Sequence, residues 1–169
     1  DVRFLGYRDS GMDGTPDNEN PACLFQANPS KVDAQIAALL VELKPDIVFT
    51  HDPTGGYGHP DHIAAGEAAL SAVYPTARDH LAFPELLEEG LEPHKVAEAW
   101  VMSHSEPDHW VDVTEHLDTS IKALREHKSQ VGEMDEERIN DSMRKGRRER
   151  ARGKGMLYAE SFKRIAMRR

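Results

Sequence analysis

Cysteine is scarce in this sequence and long apolar runs are missing, and both features narrow the class of protein. Cys23 is the only cysteine among 169 residues, which excludes an internal disulfide and a metal site built from several cysteines. No catalytic pattern surrounds Cys23, so a packed thiol is favoured over a nucleophile. No apolar run approaches the roughly 18 residues that span a bilayer, so no membrane segment is predicted. The length and the hydrophobic content of 38% predict a single soluble domain over residues 1–169.

Acidic and basic residues are unevenly distributed along the chain. Residues 1–137 carry 9 Lys/Arg against 27 Asp/Glu, whereas residues 138–169 carry 12 against 3. The basic segment could attract nucleic acid electrostatically. Its charges are not interleaved with aromatic residues on which bases would stack, so a solvated helix lying against an acidic body is the favoured interpretation. Nucleic acid is therefore not expected as a partner.

Hydrophobic periodicity predicts strands that alternate with helices. Strands are predicted at 2–5, 47–50, 96–102 and 110–113. Helices are predicted from 29 to just before Pro45, at 63–73, at 114–128 with Thr114 as its cap, and from 136, with a short helical piece around 85–89. A strand, a helix and a second strand in succession form a parallel unit, so the fold class is predicted to be α/β.

Residues 51–62 form the most informative stretch of the chain. A short β-branched and aromatic strand leads into a glycine-rich loop, and the loop leads into an alanine-rich helix. Sites in open α/β sheets form at the carboxyl ends of strands. The loop carries His59, Asp61 and His62 at that position and has no phosphate-binding lysine. This combination favours a metal-dependent hydrolase.

The residue types of this loop suit a catalytic metal ion. Catalytic zinc uses three protein ligands, among them neutral imidazole and carboxylate, and keeps one position for a water that it activates. Asp61 can cap the helix or hold a histidine ring in one tautomer. An imidazolium kept charged by such a carboxylate can stabilise an oxyanion or donate a proton to a leaving amine. From spacing alone, a plain cap beside two bystander histidines stays an open alternative.

Several separated segments occur in the order found in one enzyme family. Residues 55–62, Gly-Gly-Tyr-Gly-His-Pro-Asp-His, closely resemble the second conserved motif of the LmbE/PIG-L family of zinc-dependent de-N-acetylases. Residues 5–12 are similar to the family's segment before the substrate pocket, and 110–113, 122–124 and 127–130 to its later signature. Residues 158–162 resemble its closing helix. The resemblance implies a Rossmann-like three-layer α/β/α sandwich with a mostly parallel sheet.

The resemblance implies a catalytic role for four residues of the loop. His62 would be a zinc ligand. His59 would stabilise the tetrahedral oxyanion and protonate the leaving amine, and Asp61 would orient His59. Tyr57 would reach the substrate carbonyl or the oxyanion.

The resemblance also implies roles outside the loop. Arg8 would contact the substrate, with Asp9 beside it. His127 and Gln130 match a family feature whose role does not follow from the residues, and a packing or hydrogen-bonding role at a helix end is expected for both.

The family's opening motif, Ala-His-Pro-Asp-Asp, has no match in this chain. In the family it supplies the other two zinc ligands and the aspartate that acts as general base. The chain is thus expected to lack the first strands of the fold, as a fragment of a longer enzyme or as a short relative that no longer catalyses. His51-Asp52-Pro53 and Pro107-Asp108-His109 are superficial echoes of the motif and are expected to be ordinary loop chemistry. Weak zinc binding, at best through His62 with neighbouring residues, is therefore expected.

The implied activity is a metal-dependent hydrolase that removes an N-acetyl group from an amino sugar or a glucosamine-containing conjugate. The alternative is a non-catalytic binding or assembly module that retains the fold, which the missing zinc ligands support. The expected partner is a small N-acetylated sugar. A homo-oligomer is implied by the family resemblance alone. A cytoplasmic location is the default. The sequence does not determine which amide is cleaved.

Overall fold

Helices and strands alternate through most of the chain, which confirms the predicted α/β class. The computed structural model describes residues 1–79, 81–82 and 84–167. Two short 3-10 helices lie at Pro16–Glu19 and Thr76–Arg78. The other elements are α1 (Pro29–Leu43), β1 (Ile47–His51), α2 (Gly55–Gly58), α3 (Pro60–Val73), α4 (Pro84–Glu88), β2 (Glu98–Met102), β3 (His109–Asp112), α5 (Leu117–Glu126), α6 (Lys128–Val131), α7 (Glu136–Ala151) and β4 (Ala159–Ala166). The strand order across the sheet is β1-β2-β4-β3.

The chain divides into two compact units, of which the first comprises Asp1–Glu106 and the segment that starts at Lys163. In this unit β1 pairs with β2 in parallel, with Ile47 opposite Glu98 and His51 opposite Met102. The core lies between α1, α3 and the two strands, and its fully or nearly fully buried members are Ala37, Leu40, Val41, Ala72, Val73, Ala77, Val96 and Ala99. A single domain over residues 1–169 stays a prediction.

Local sequence signals set the two long helices of the first unit. The side chain of Asn28 accepts a hydrogen bond from the backbone of Ser30 at 2.9 Å, and Pro29 occupies the first turn of α1. α1 ends where Lys44 adopts a left-handed conformation, just before Pro45. In α3, Gly66 lies so close to β1 that an added Cβ would be 2.8 Å from the carbonyl oxygen of His51. This approach packs α3 against the carboxyl end of β1.

The second unit comprises Pro107–Phe162. Here β3 pairs with β4 in an antiparallel manner, with His109 opposite Phe162 and Asp112 opposite Ala159. The sheet therefore mixes parallel and antiparallel pairs. The core of this unit is formed by Leu117, Ile121, Ile139 and Tyr158. The structure confirms the strands predicted at 47–50, 96–102 and 110–113 and the helices predicted from 29, at 63–73 and from 136, with bounds that differ by at most three residues.

The strand predicted at residues 2–5 is wrong. This segment has no regular structure, and the side chains of Val2 and Phe4 are 72% and 90% exposed. A strand is held by ladder hydrogen bonds to a neighbour. No strand in the described ranges pairs with these residues, so the β-branched and aromatic composition does not decide their conformation.

The closing helix implied for residues 158–162 is also wrong, because β4 begins at Ala159. Gly153 and Gly155 have φ angles of 73° and 74° and separate the segment from α7. The main chain of the segment then pairs with β3. Thr114 does not cap α5 as predicted. The helix begins at Leu117, and the hydroxyl of Thr114 accepts a hydrogen bond from the backbone of Tyr158 at 3.2 Å.

The structure also bears on the single cysteine and on the missing long apolar runs. Cys23 is a fully buried free thiol, which confirms the predicted packed cysteine. Of the helices in the described part of the chain, none combines the length and the apolar character that crossing a bilayer requires.

Candidate active site

The site residues lie where β1 ends and α3 begins. The carboxylate of Asp52 accepts a hydrogen bond from the backbone of Thr54 at 2.8 Å, and its main-chain carbonyl accepts one from Gly55 at 2.7 Å. Gly55 has a φ angle of 70°, and a Cβ there would lie 2.8 Å from the side chain of Ile63. The turn therefore requires glycine at this position, and it carries the chain from the strand into α3.

Three histidine rings form a stack at this strand end. The ring centroids of His51 and His62 are 4.1 Å apart with planes 8° from parallel, and those of His59 and His62 are 4.8 Å apart at 29°. The pKa of His51 is lowered from its ordinary value, mainly by burial and further by the neighbouring His62 and His59. The ring of His51 is thus favoured in its neutral form.

Main-chain partners fix opposite tautomers for the two histidines of the loop. Nδ1 of His59 accepts a hydrogen bond from the backbone N–H of Asp61 at 3.1 Å, so the ring proton resides on Nε2. Nδ1 of His62 lies 3.2 Å from the carbonyl oxygen of Gly55. A carbonyl can only accept, so Nδ1 of His62 carries the proton and its Nε2 has a free lone pair.

These tautomers give the two rings different chemistry. Metal-ligating histidines commonly donate their second ring N–H to a carbonyl or carboxylate, and His62 makes this bond to Gly55. His59 instead offers a neutral Nε2–H donor in this arrangement, whereas the sequence suggested an imidazolium. His62 therefore fits a metal ligand and His59 fits a donor to an oxyanion.

The carboxylate of Asp61 is held by Ser10. The backbone N–H of Ser10 donates to one carboxylate oxygen at 3.0 Å, and its hydroxyl donates to the other. Asp61 is joined to the ring of His59 through its own backbone N–H. The proposed orienting role of Asp61 thus has a main-chain contact to His59, while the carboxylate connects to the segment that carries Arg8 and Asp9.

Tyr57 stands edge-on to two of the histidines. Its ring centroid lies 5.9 Å from that of His59 and 5.3 Å from that of His62, with interplanar angles of 78° and 79°. The side chain is 70% exposed. The phenol therefore covers the histidine pair while it stays open to an incoming ligand.

Arg8 and Asp9 lie on the exposed rim of the same region. The guanidinium of Arg8 is 3.4 Å from the carboxylate of Asp17. Asp9, His59 and Asp61 each offer a ligand atom, and these three atoms lie within 4.8 Å of one another. This group is a second candidate for holding a cation, although both carboxylate oxygens of Asp61 already accept hydrogen bonds from Ser10.

A carboxylate–histidine pair lies next to the turn. Nε2 of His104 is 3.8 Å from the carboxylate of Asp52, which is almost fully buried. The pKa of Asp52 is lowered because Thr54 donates hydrogen bonds from its side chain and its backbone, with a smaller contribution from His104. Asp52 is therefore anionic over a wide pH range and anchors the loop.

Two residues at the site were not predicted. His51 was assigned to ordinary loop chemistry, yet its ring stacks on His62. Its position as the last residue of β1 was the available signal, because strand ends build sites in α/β folds. Ser10 lies beside Arg8 and Asp9 in the sequence, but nothing in its residue type indicated a bond to Asp61.

Residues that the resemblance singled out elsewhere lie in the second unit. His127 stands between α5 and α6, with its backbone N–H bonded to Leu124, and Gln130 donates its backbone N–H to His127. Both therefore lie at a helix end, as expected. In the basic segment, Arg144 pairs with Asp118 and Arg147 pairs with Glu160. These ion pairs agree with a basic helix lying against acidic groups.

Comparison with known proteins gives matches along most of the chain. Residues 1–73 match the family described as "PIG-L: GlcNAc-PI de-N-acetylase". The 1D-myo-inositol 2-acetamido-2-deoxy-alpha-D-glucopyranoside deacetylase of Thermobifida fusca is 47% identical over 76 residues, which cover 43% of this chain and 27% of that protein. The enzyme of the same name from Rhodococcus erythropolis is 32% identical over 159 residues, which cover 76% of this chain and 54% of that protein.

A solved structure shares the fold. The N,N'-diacetylchitobiose deacetylase of Pyrococcus horikoshii superposes with a TM-score of 0.74 at 25% identity, covering 84% of this chain and 54% of that one. The chain thus spans about half the length of the proteins that it matches over most of its own length.

Proposed function

Because residues 1–73 match the PIG-L family, we propose that the histidine loop of this chain serves a metal-assisted amide hydrolase. The reaction removes an N-acetyl group from an amino sugar or a glucosamine-containing conjugate. The observation that carries the proposal is the pair of opposite tautomers at His59 and His62. One ring offers a lone pair to a metal and the other offers a hydrogen-bond donor to an oxyanion, which are two of the functions that amide hydrolysis at a metal uses.

We assign His62 as the ligand that this chain offers to zinc, through Nε2. With zinc held there, His62 would contribute to a Lewis-acid centre of the kind that polarises a carbonyl and lowers the pKa of water. The bond from Nδ1 of His62 to Gly55 fixes the orientation of the ring and increases its basicity as a ligand. Catalytic zinc uses three protein ligands. Asp9, His59 and Asp61 also converge in the described residues. Nδ1 of His59 and both carboxylate oxygens of Asp61 already accept hydrogen bonds, so His62 is the one zinc ligand that we assign.

His59 acts through its Nε2–H. The oxyanion that develops when the acetamide carbonyl is attacked accepts a hydrogen bond from this group. The backbone N–H of Asp61 donates to Nδ1 of His59, so the neutral ring carries its proton on Nε2. Asp61 thus positions the donor at the start of α3, where the positive end of the helix also favours negative charge.

Tyr57, Arg8 and Asp9 bind the substrate. The exposed phenol of Tyr57 stands edge-on to the histidine pair, within reach of a group bound there. Arg8 and Asp9 are exposed polar groups on the segment that Ser10 fastens to Asp61. Their guanidinium and carboxylate suit the hydroxyl groups of a sugar, which both donate and accept hydrogen bonds.

An acetate-release assay tests the proposal. The full chain is incubated with zinc and a panel of N-acetylglucosamine conjugates, and the acetate formed is quantified. His62→Ala is expected to abolish acetate release. His59→Ala is expected to lower kcat by about 100- to 1,000-fold, which is the usual effect of losing one oxyanion donor.

His94→Ala is the matched control. The ring of His94 lies in the same unit and contacts the carbonyl oxygen of Pro45 at 2.7 Å, outside the loop. This variant is expected to retain wild-type acetate release. Zinc binding at His62 without acetate from any member of the panel would instead support a non-catalytic binding module.

A further inference from the structure

Ser10 is a fully buried hydroxyl residue, and its hydroxyl and backbone N–H both make hydrogen bonds to other residues. Its hydroxyl donates to the carboxylate of Asp61 and accepts the backbone N–H of Phe25 at 2.9 Å. Its own backbone N–H donates to the second carboxylate oxygen at 3.0 Å. The side chain of Ser10 thus forms hydrogen bonds with both the carboxylate of Asp61 and the backbone N–H of Phe25.

These contacts join two distant parts of the first unit. The backbone of Arg8 exchanges hydrogen bonds with Ala22 and Leu24 at 3.0 and 3.1 Å, which closes the loop between them at its base. Ser10 lies immediately after this closure and connects it to the first turn of α3, 51 residues further along the chain. The rim residues Arg8 and Asp9 and the donor His59 are therefore held by one connected set of bonds.

We infer that Ser10 is a positioning residue for the proposed deacetylation: it holds Asp61 in the rotamer that leaves His59 free to donate. The inference rests on the proposed function. Without the hydroxyl of Ser10, one oxygen of Asp61 loses its partner, and that carboxylate has a ligand atom within 4.8 Å of a ring nitrogen of His59. The carboxylate then turns toward the ring and competes for the Nε2 proton that the reaction needs.

Two readouts on the full chain test this role, and one of them does not depend on activity. The first is the set of ¹H–¹³C signals from the ring of His59, recorded without metal. Ser10→Ala is expected to broaden or double these signals, because Asp61 samples more than one rotamer. The second is acetate release, where kcat is expected to fall about 10- to 100-fold, as for other outer partners of active-site histidines. KM is expected to stay within about twofold, since the main-chain bonds that hold the segment of Arg8 and Asp9 are kept in this variant.

Ser71→Ala is the matched control. The hydroxyl of Ser71 donates to the carboxylate of Asp33 at 2.9 Å, also in the first unit. The control removes a serine–aspartate bond of the same type and is expected to leave both readouts at their wild-type values. Ser10→Cys keeps a weak donor of similar size and is expected to give intermediate values, which separates lost positioning from failed folding.

The outcomes distinguish the two proposals. If the wild-type chain releases no acetate while Ser10→Ala alone disturbs the ring of His59, the proposed function fails and the positioning role stands. If Ser10→Ala and Ser71→Ala give the same ring signals and the same kcat, the positioning role is overturned.

Discussion

The imidazole of His51 lies flat against the imidazole of His62, with the ring centroids 4.1 Å apart and the planes 8° from parallel. His51 closes β1, whereas His62 lies in the first turn of α3. His51 covers one face of the His62 ring, which we assign as the metal ligand. Stacking on a face does not block the ring edge that carries Nε2. Stacking thus complements the hydrogen bond to Gly55, which fixes the same ring from its Nδ1 side.

The stack predicts a difference between two variants of His51. His51→Ala removes the stacking partner and is expected to weaken zinc binding about tenfold, since outer partners of a ligand commonly have such effects. His51→Phe keeps a flat ring and is expected to stay within about twofold of wild type. A zinc titration followed on the ring signals of His62 measures both. Equal losses in the two variants would show that a nitrogen of His51 is itself a ligand.

Glycine at position 66 is expected to be required for stability. Gly66→Ala places a Cβ 2.8 Å from the carbonyl oxygen of His51, so α3 must shift away from β1. The expected loss in the free energy of unfolding is about 1–3 kcal/mol, as for other overpacked positions. Urea unfolding measures the change.

Gly146→Ala provides the comparison for that measurement. Its added Cβ would meet only the end of the Arg150 side chain, at 3.3 Å, within α7. The gain in helix propensity is then expected to stabilise the chain by about 0.5–1 kcal/mol. A stabilised Gly66→Ala variant would contradict the close packing of α3 on β1.

Asp52 is expected to make stability depend on pH in the acidic range. The pKa of Asp52 in the folded state is lowered below the ordinary value of 3.8, so folding favours the ionised form of this carboxylate. The contribution is therefore fully present above that ordinary value and is lost as the pH falls through the folded pKa. Urea unfolding of wild type and Asp52→Asn at a series of pH values is expected to show a gap that closes in acid. A gap of constant size would mean that Asp52 contributes through shape alone.

Tyr158 is expected to ionise more readily than an ordinary tyrosine. Its pKa is lowered because Arg144 and, to a smaller extent, Arg148 donate hydrogen bonds to the phenol oxygen. Arg144→Ala is expected to raise this pKa more than Arg148→Ala does. Near-ultraviolet absorbance titration measures the ionisation, and Tyr158→Phe identifies the signal. Arg150→Ala removes a charge from the same helix and is expected to leave the titration unchanged.

The sequence predicted those elements whose signals are local. The apolar spacing in α1, the cap at Asn28 and the stop before Pro45 all act within a few residues, so the helix could be placed from them. The segment at 159–166 could not be placed this way. Its conformation is set by pairing with β3, about 50 residues earlier in the chain, and tertiary pairing overrides local pattern.

The candidate site was predicted in part. The glycine-rich loop and its position after a strand indicated His59, Asp61 and His62, and the match of residues 1–73 confirms the family resemblance. The partners that assign chemistry to these residues were not visible. They are the carbonyl of Gly55 and the backbone N–H of Asp61, main-chain groups that do not depend on the side chain of either residue. Ser10 escaped prediction because its contact spans 51 residues.

The dependence of both imidazoles on main-chain atoms has a practical consequence for protein engineers. Copying His59 and His62 into another scaffold would transfer two side chains without their protonation pattern. A graft needs the left-handed turn at Gly55 and the helix start at Asp61 as an intact backbone fragment, since those peptide groups decide which nitrogen of each ring is basic.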